Sequence, residues 1–278
     1  MSKIKEKANH VIDRTLKILS QREMLILPGQ LAFFLLLAIV PTITLIAYGA
    51  SLFHVSIDFV SNFIYKSFGE SMVSLVMPII NDIRMTPNFL ALICVAFYTA
   101  SGGASSIIVA SNQLYHFDNT SFLKRKIKGI FMIFIMIILV VFLLFVPALG
   151  NRIIALVQYV NMNETVTKGI VFFLQITKGP VAWFLVFFLI KIIYTMAPDK
   201  SIPSSCTTKG SLFTTFGLVI VTYIYSLYVT YVAHYNILFG GLAHFVVLMM
   251  WLYFISYIVV IGIAINAEEY EKRKKLSQ

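Results

Sequence analysis

Six apolar blocks, each about long enough to cross a hydrocarbon layer as a helix, constrain this chain more than any other feature. They occupy residues 30–53, 88–111, 127–149, 181–197, 212–231 and 242–265. A bilayer core needs roughly 20 helical residues at about 1.5 Å rise each. Hydrocarbon offers the backbone no outside hydrogen-bond partners, so each block is predicted to be a helix. Only 12% of the 278 residues are charged and 59% are apolar, whereas a soluble domain carries about 25% charged residues. Too little polar surface remains to cover a globular body in water. The expected fold is an all-α polytopic membrane protein, with residues 1–278 as a single membrane domain and six transmembrane helices.

Charge placement orients this fold. Net charge is +10, but the cations sit in short clusters beside apolar blocks, which argues for membrane topology and against nucleic acid as a partner. Lys3, Lys5, Lys7, Arg14, Lys17 and Arg22 precede the first span. Lys124, Arg125, Lys126 and Lys128 lie between the second and third, and Lys272, Arg273, Lys274 and Lys275 follow the sixth. With Lys200 and Lys209 these fall on one side of a six-span protein, so that side is read as cytoplasmic, with both termini inside a bacterial-type cell membrane. Residues 1–27 mix Lys, Glu and Arg throughout, without the short apolar run of a cleavable signal. The first span is therefore expected to act as its own insertion signal.

Two regions outside the spans are amphipathic. Over residues 4–19, Ile4, Ala8, Val11, Ile12, Leu16 and Leu19 repeat at three and four, which predicts a helix lying on anionic headgroups or packed on the cytoplasmic ends of the bundle. Residues 57–83 repeat similarly and carry Asp58, Lys66, Glu70 and Asp82. They are expected as interfacial helices on the outer face, or as a re-entrant pair. Residues 151–178, with Arg152, Glu164 and Lys168, read the same way, so that Gly179-Pro180 looks like the start of the fourth span.

The apolar strings also resemble a known family. "GQLAFFLLLAIVPTITLIA" in the first span, "ASGGASSIIVASNQLY" in the second, "SFLKRK" opening the third, "MAPDKSIP" with "KGSLF" between the fourth and fifth, and "YNILFGGLAHFVVLMMWLYF" into the sixth follow one another in the order and spacing of the YihY/BrkB family of bacterial membrane proteins. The resemblance covers nearly the whole chain and implies a transport-type role without naming a substrate. One departure is Ala264, where the family usually carries an acidic residue. Some members have been labelled ribonuclease BN, a label the residues do not support. His10, His54, His116, His234 and His244 are scattered without ligand spacing, and no HExxH, P-loop or CxxC string occurs. No catalytic residue, metal site or cofactor is expected.

Polar residues at membrane depth are costly and so mark cavities, helix contacts or function. Gln30, Asn112, Gln113 and Asn266 all stand at cytoplasmic ends of spans. Lys191 lies roughly 9 Å inside the fourth span at about 1.5 Å per residue. It either snorkels to the interface or faces inward as a cation for a phosphate or carboxylate. Pro41 frees a carbonyl in the first span, and Trp251 stands within the sixth, away from an interfacial belt. Residues 100–106, Ala-Ser-Gly-Gly-Ala-Ser-Ser, allow close helix approach or mark a local break. These residues define a candidate pathway for an anionic small molecule or a lipid-like amphiphile, between helices one, two, four and six. The other function class is a structural or accessory protein of the cell envelope. Membrane lipids are the expected partners, and the oligomeric state stays open.

Overall fold

In the computed structural model the described residues are 23–52, 58, 61, 62, 65, 87–159, 164–231 and 241–276. They form six long helices with no strand among them: α1 (Glu23–Leu52), α2 (Pro87–Leu114), α3 (Phe122–Tyr159), α4 (Glu164–Met196), α5 (Thr208–Tyr231) and α6 (Gly241–Leu276). Each expected span falls within one of these helices except at two ends: Ala197 stands one residue past the end of α4, and Phe53 lies outside the described residues. So do the amphipathic segment 4–19, nearly all of 57–83, His54 and His234.

Among the described residues four stretches are long and apolar enough to cross a membrane: Ile93–Leu114, Val166–Met196, Thr208–Tyr228 and Val246–Leu276. α1 and α3 are 30 and 38 residues long. Consecutive helices pack side by side, and α6 closes back on α1 and α2. Half of the apolar window is buried in α2 and in α6, against 12% in α4, so α2 and α6 form the centre and α4 the periphery.

α3 shows why such helices carry no polar face. Met132, Ile133, Ile137 and Val141 are buried against neighbours, while Phe131, Phe134, Ile138 and Phe142 are about half exposed. Both stripes repeat at three and four, so one face meets protein and the other stays apolar and exposed. In water a surface of this kind would drive association. In hydrocarbon it is matched to its solvent.

The helices correct two expectations about the outer segments. Residues 151–159 continue α3, and residues 164–178 are the first half of α4, so neither is a separate interfacial element. Pro180 lies inside α4 and does not start it. Its ring removes one backbone donor, and in a membrane helix the chain carries on through that local loss. α1 likewise runs unbroken through Pro28 and Pro41. At the other end, α6 extends helically beyond residue 265 as far as Leu276.

Small residues in α2 act by close approach, since that helix is unbroken from Pro87 to Leu114. A methyl group placed at Gly103 would lie 3.4 Å from Ala38 and 3.5 Å from Leu35 on α1. One placed at Gly129 on α3 would lie 2.8 Å from Ser105 Oγ and 3.0 Å from the Ser101 carbonyl. α2 is thereby held tightly between α1 and α3.

Candidate functional site

The starts of α3 and α5 and the ends of α2, α4 and α6 share one end of the bundle, here called the basic end. α2 closes there with a left-handed residue, His116, at φ 54°. The Phe117 N–H returns to the Asn112 carbonyl at 2.8 Å and the His116 N–H to the Gln113 carbonyl at 3.2 Å, the paired bonds of a Schellman cap. α4 stops at Met196, because Pro198 disfavours helical backbone in the residue before it.

The connection after α4 places Asp199 at the centre of a knot. Its carboxylate accepts from Asn112 Nδ2 at 2.6 Å, from Lys128 Nζ at 2.8 Å, and from the Thr120 N–H and hydroxyl at 3.2 and 3.0 Å. Lys128 also donates to the carbonyls of Ala197 and Pro198, left free by the end of α4. Burial by itself raises the Asp199 pKa, but the Lys128, Asn112 and Thr120 donors outweigh it and hold the carboxyl below its ordinary value. One ionised carboxylate thus ties α2, α3, their connection and the α4–α5 connection together.

A second join lies between α5 and α6. Gly210 and Gly262 face one another so closely that a methyl at Gly210 would strike the Gly262 carbonyl, and one at Gly262 would strike the Thr214 hydroxyl. Asn266 Oδ1 accepts from the Gly210 N–H at 2.7 Å. Tyr194 on α4 donates to the Val259 carbonyl at 2.9 Å and meets Thr214 Oγ1 at 2.7 Å. With the phenol proton on Val259, Thr214 is the donor in that pair. Glu269, nearly buried, receives Lys209 at 2.7 Å and Arg273 at 3.2 Å. Arg273 in turn reaches Ser205 in the connection before α5.

The third feature is a groove of about 160 Å³ bounded by α1, α2 and the first turn of α3. Its polar lining is Gln30, Ser105, Ser106, Arg125 and Lys126, and Phe34, Val109, Phe122 and Gly102 complete it. Ser105 Oγ is buried without a hydrogen-bond partner among the described residues. Lys126 Nζ donates to the Tyr98 carbonyl at 2.8 Å and lies 3.9 Å above the Tyr98 ring. Arg125 lies 5.9 Å from the Phe122 ring centroid.

The residues singled out from the sequence do not converge on one cavity. Asn112 belongs to the Asp199 knot and Asn266 to the α5–α6 join, both fully buried. Gln30 is exposed and lines the groove, and Gln113 is exposed beside the cap. Lys191 and Pro41 are half-buried. Trp251 is buried and packs against Tyr225 with ring centroids 5.2 Å apart and planes tilted by 32°, where both line an apolar pocket of about 200 Å³ between α5 and α6. Sequence reasoning missed Lys128, Arg125 and Lys126 as site residues because their charges served only to set topology, and it gave Asp199 no role. The string "MAPDKSIP" was the available signal, since an acid beside a helix-ending proline invites a cation.

Among the described residues no group of three or more His, Cys, Asp or Glu is placed to hold a metal ion. Against known proteins, the family model described as "Virulence factor BrkB" matches residues 15–278. The "Putative ribonuclease-like protein YfkH" of Bacillus subtilis (strain 168) is 28% identical over 252 residues, covering 89% of this chain and 90% of that protein. No solved structure matches.

Proposed function

The chain belongs to the family of virulence factor BrkB, and from that premise we propose a six-span protein of the bacterial cytoplasmic membrane that binds and moves an anionic amphiphile. The side-opening groove carries this reading. It sets two cations, an amide and hydroxyls within a wall that is otherwise apolar and lipid-facing, the mixed surface an amphiphile requires. Both termini lie on the cytoplasmic face in this proposal, because the basic end holds most of the Lys and Arg. The amphipathic segment 4–19 rests on anionic headgroups of that face. Gln30 belongs to the entry site. Lys191, Asn112, Gln113, Asn266, Pro41 and Trp251 are assigned to the pathway or to the packing that shapes it.

The ribonuclease-like name belongs to the Bacillus relative. Hydrolysis of RNA needs a hydrophilic site with converging acids and bases, and the groove has neither an acid nor a histidine in its lining. We therefore assign this chain no nuclease activity.

The test is reconstitution of the full chain into liposomes with fluorescent anionic lipid in one leaflet, and in parallel with an enclosed anionic solute. Movement of lipid without solute is expected, and it should slow in Lys191→Ala. Folded protein that moves neither removes the proposal.

A further inference from the structure

We infer that the α1–α2–α3 groove is a site for a single phospholipid whose headgroup carries net negative charge. This deepens the reading above by naming the class of amphiphile, and it stands on three observations. The first is charge. Arg125 and Lys126 both line the groove and no acid does. A phosphate finds a bidentate partner in the guanidinium and a point charge in the ammonium, and the unpaired N–H groups in the first turn of α3 add partial positive charge there. Lys126 spends one of its three donors on Tyr98 and keeps two for a ligand.

Amide placement is the second observation. Gln30 is exposed and lines the same groove. Its carboxamide carries two N–H donors, which a headgroup oxygen accepts beside the two cations.

Continuity with the lipid-facing wall is the third. Gln30 is followed on α1 by the exposed Phe33 and Leu37, and Lys126 on α3 by the exposed Ile127 and Phe131. Between them α2 exposes Tyr98 and Val95. Acyl chains entering beside Phe34 and Phe122 therefore continue along a wall that is already apolar. The same layout sets specificity. A zwitterionic headgroup would bring an ammonium to two cations with no acid in the lining to receive it, and it would lose against a net-anionic one.

The experiment uses purified full-length protein in detergent, offered phosphatidylglycerol or phosphatidylethanolamine with identical acyl chains, with bound lipid counted by native mass spectrometry. One phosphatidylglycerol should be retained about tenfold or more tightly than phosphatidylethanolamine, and Arg125→Gln with Lys126→Gln should abolish the preference. Arg125→Glu, a change on the partly exposed rim, should reverse it, which guards against a double variant that fails to fold. Equal retention of the two lipids, or a preference untouched in a folded double variant, overturns the inference. Displacement of the lipid by millimolar inorganic phosphate also overturns it, in favour of a small-anion site. Selective retention by a protein that moves no lipid supports the groove assignment and removes only the transport reading.

Discussion

Asn112 and Asp199, 87 residues apart in the chain, hold one another by a reciprocal pair of hydrogen bonds. The Asn112 amide donates to the Asp199 carboxylate at 2.6 Å, and the Asp199 N–H donates back to Asn112 Oδ1 at 2.8 Å. Only a carboxamide supplies both a donor and an acceptor in this arrangement. Asn112→Ala leaves a nearly buried carboxylate short of a donor and a backbone N–H short of an acceptor. It should cost about 2–3 kcal/mol, and a double-mutant cycle with Asp199→Ala should return a coupling of about 1–3 kcal/mol. Thermal unfolding in detergent measures both. Additive single effects would contradict the pairing.

Acid should loosen the same knot. The folded Asp199 carboxyl titrates below its ordinary value, so its stabilisation is present above the unfolded pKa of about 3.9. It is lost as pH falls through the lower folded value. Asp199→Asn should therefore be less stable than the parent at neutral pH, and the gap should shrink as the medium is acidified below about pH 4. Melting temperature followed from pH 7 downward reads this directly. A constant gap through the acid limb would show that Asp199 carries no charge-dependent share.

Glycines in this protein separate into those that need to be glycine and those that do not. Gly210→Ala or Gly262→Ala puts a methyl into backbone or hydroxyl across the α5–α6 contact. Each should destabilise by about 3 kcal/mol, the cost of overpacking plus a damaged Gly210–Asn266 hydrogen bond. Gly29→Ala meets nothing within 4 Å and should be neutral or stabilising by about 0.5–1 kcal/mol. Equal effects at Gly29 and Gly262 would refute the close approach.

His116 sits in a left-handed conformation that a side chain adopts at a cost. Its imidazole is mostly exposed, with Glu271 3.9 Å away, so little is lost with it. His116→Gly should stabilise the cap by about 0.5–1 kcal/mol, and His116→Val should destabilise it. A melting temperature that falls for both would assign the imidazole a role beyond the cap.

Much of the fold was legible because apolar block length is a one-dimensional property. A stretch such as 212–231 declares itself without reference to any other part of the chain. Helix ends were less legible. Residues 151–178 carry Arg152, Glu164 and Lys168, which argue against burial in lipid, yet charge does not stop a helix from continuing, and 151–159 and 164–178 do continue α3 and α4. The site was legible only in part, because its residues are paired by contacts invisible to spacing. Asn112 and Asn266 stood out as polar residues at span ends, but their partners are Asp199 in the α4–α5 connection and Gly210 in the first turn of α5, and periodicity pairs neither with them. Arg125 and Lys126 were counted as topology markers, and nothing in their spacing tells which cation faces Tyr98 on the neighbouring helix.

The Asp199 knot also has an order in time. Asn112, Thr120 and Lys128 all precede residue 199, so every side-chain partner of that carboxylate is already synthesised when it leaves the ribosome. The acid is received at once. Lys209 and Gly210 are in the opposite position, since Glu269 and Asn266 are made some sixty residues later. The first four helices are therefore able to lock as a unit during insertion, while α5 waits for α6. Truncation before residue 259 leaves the earlier knot complete and the later join without its α6 partners.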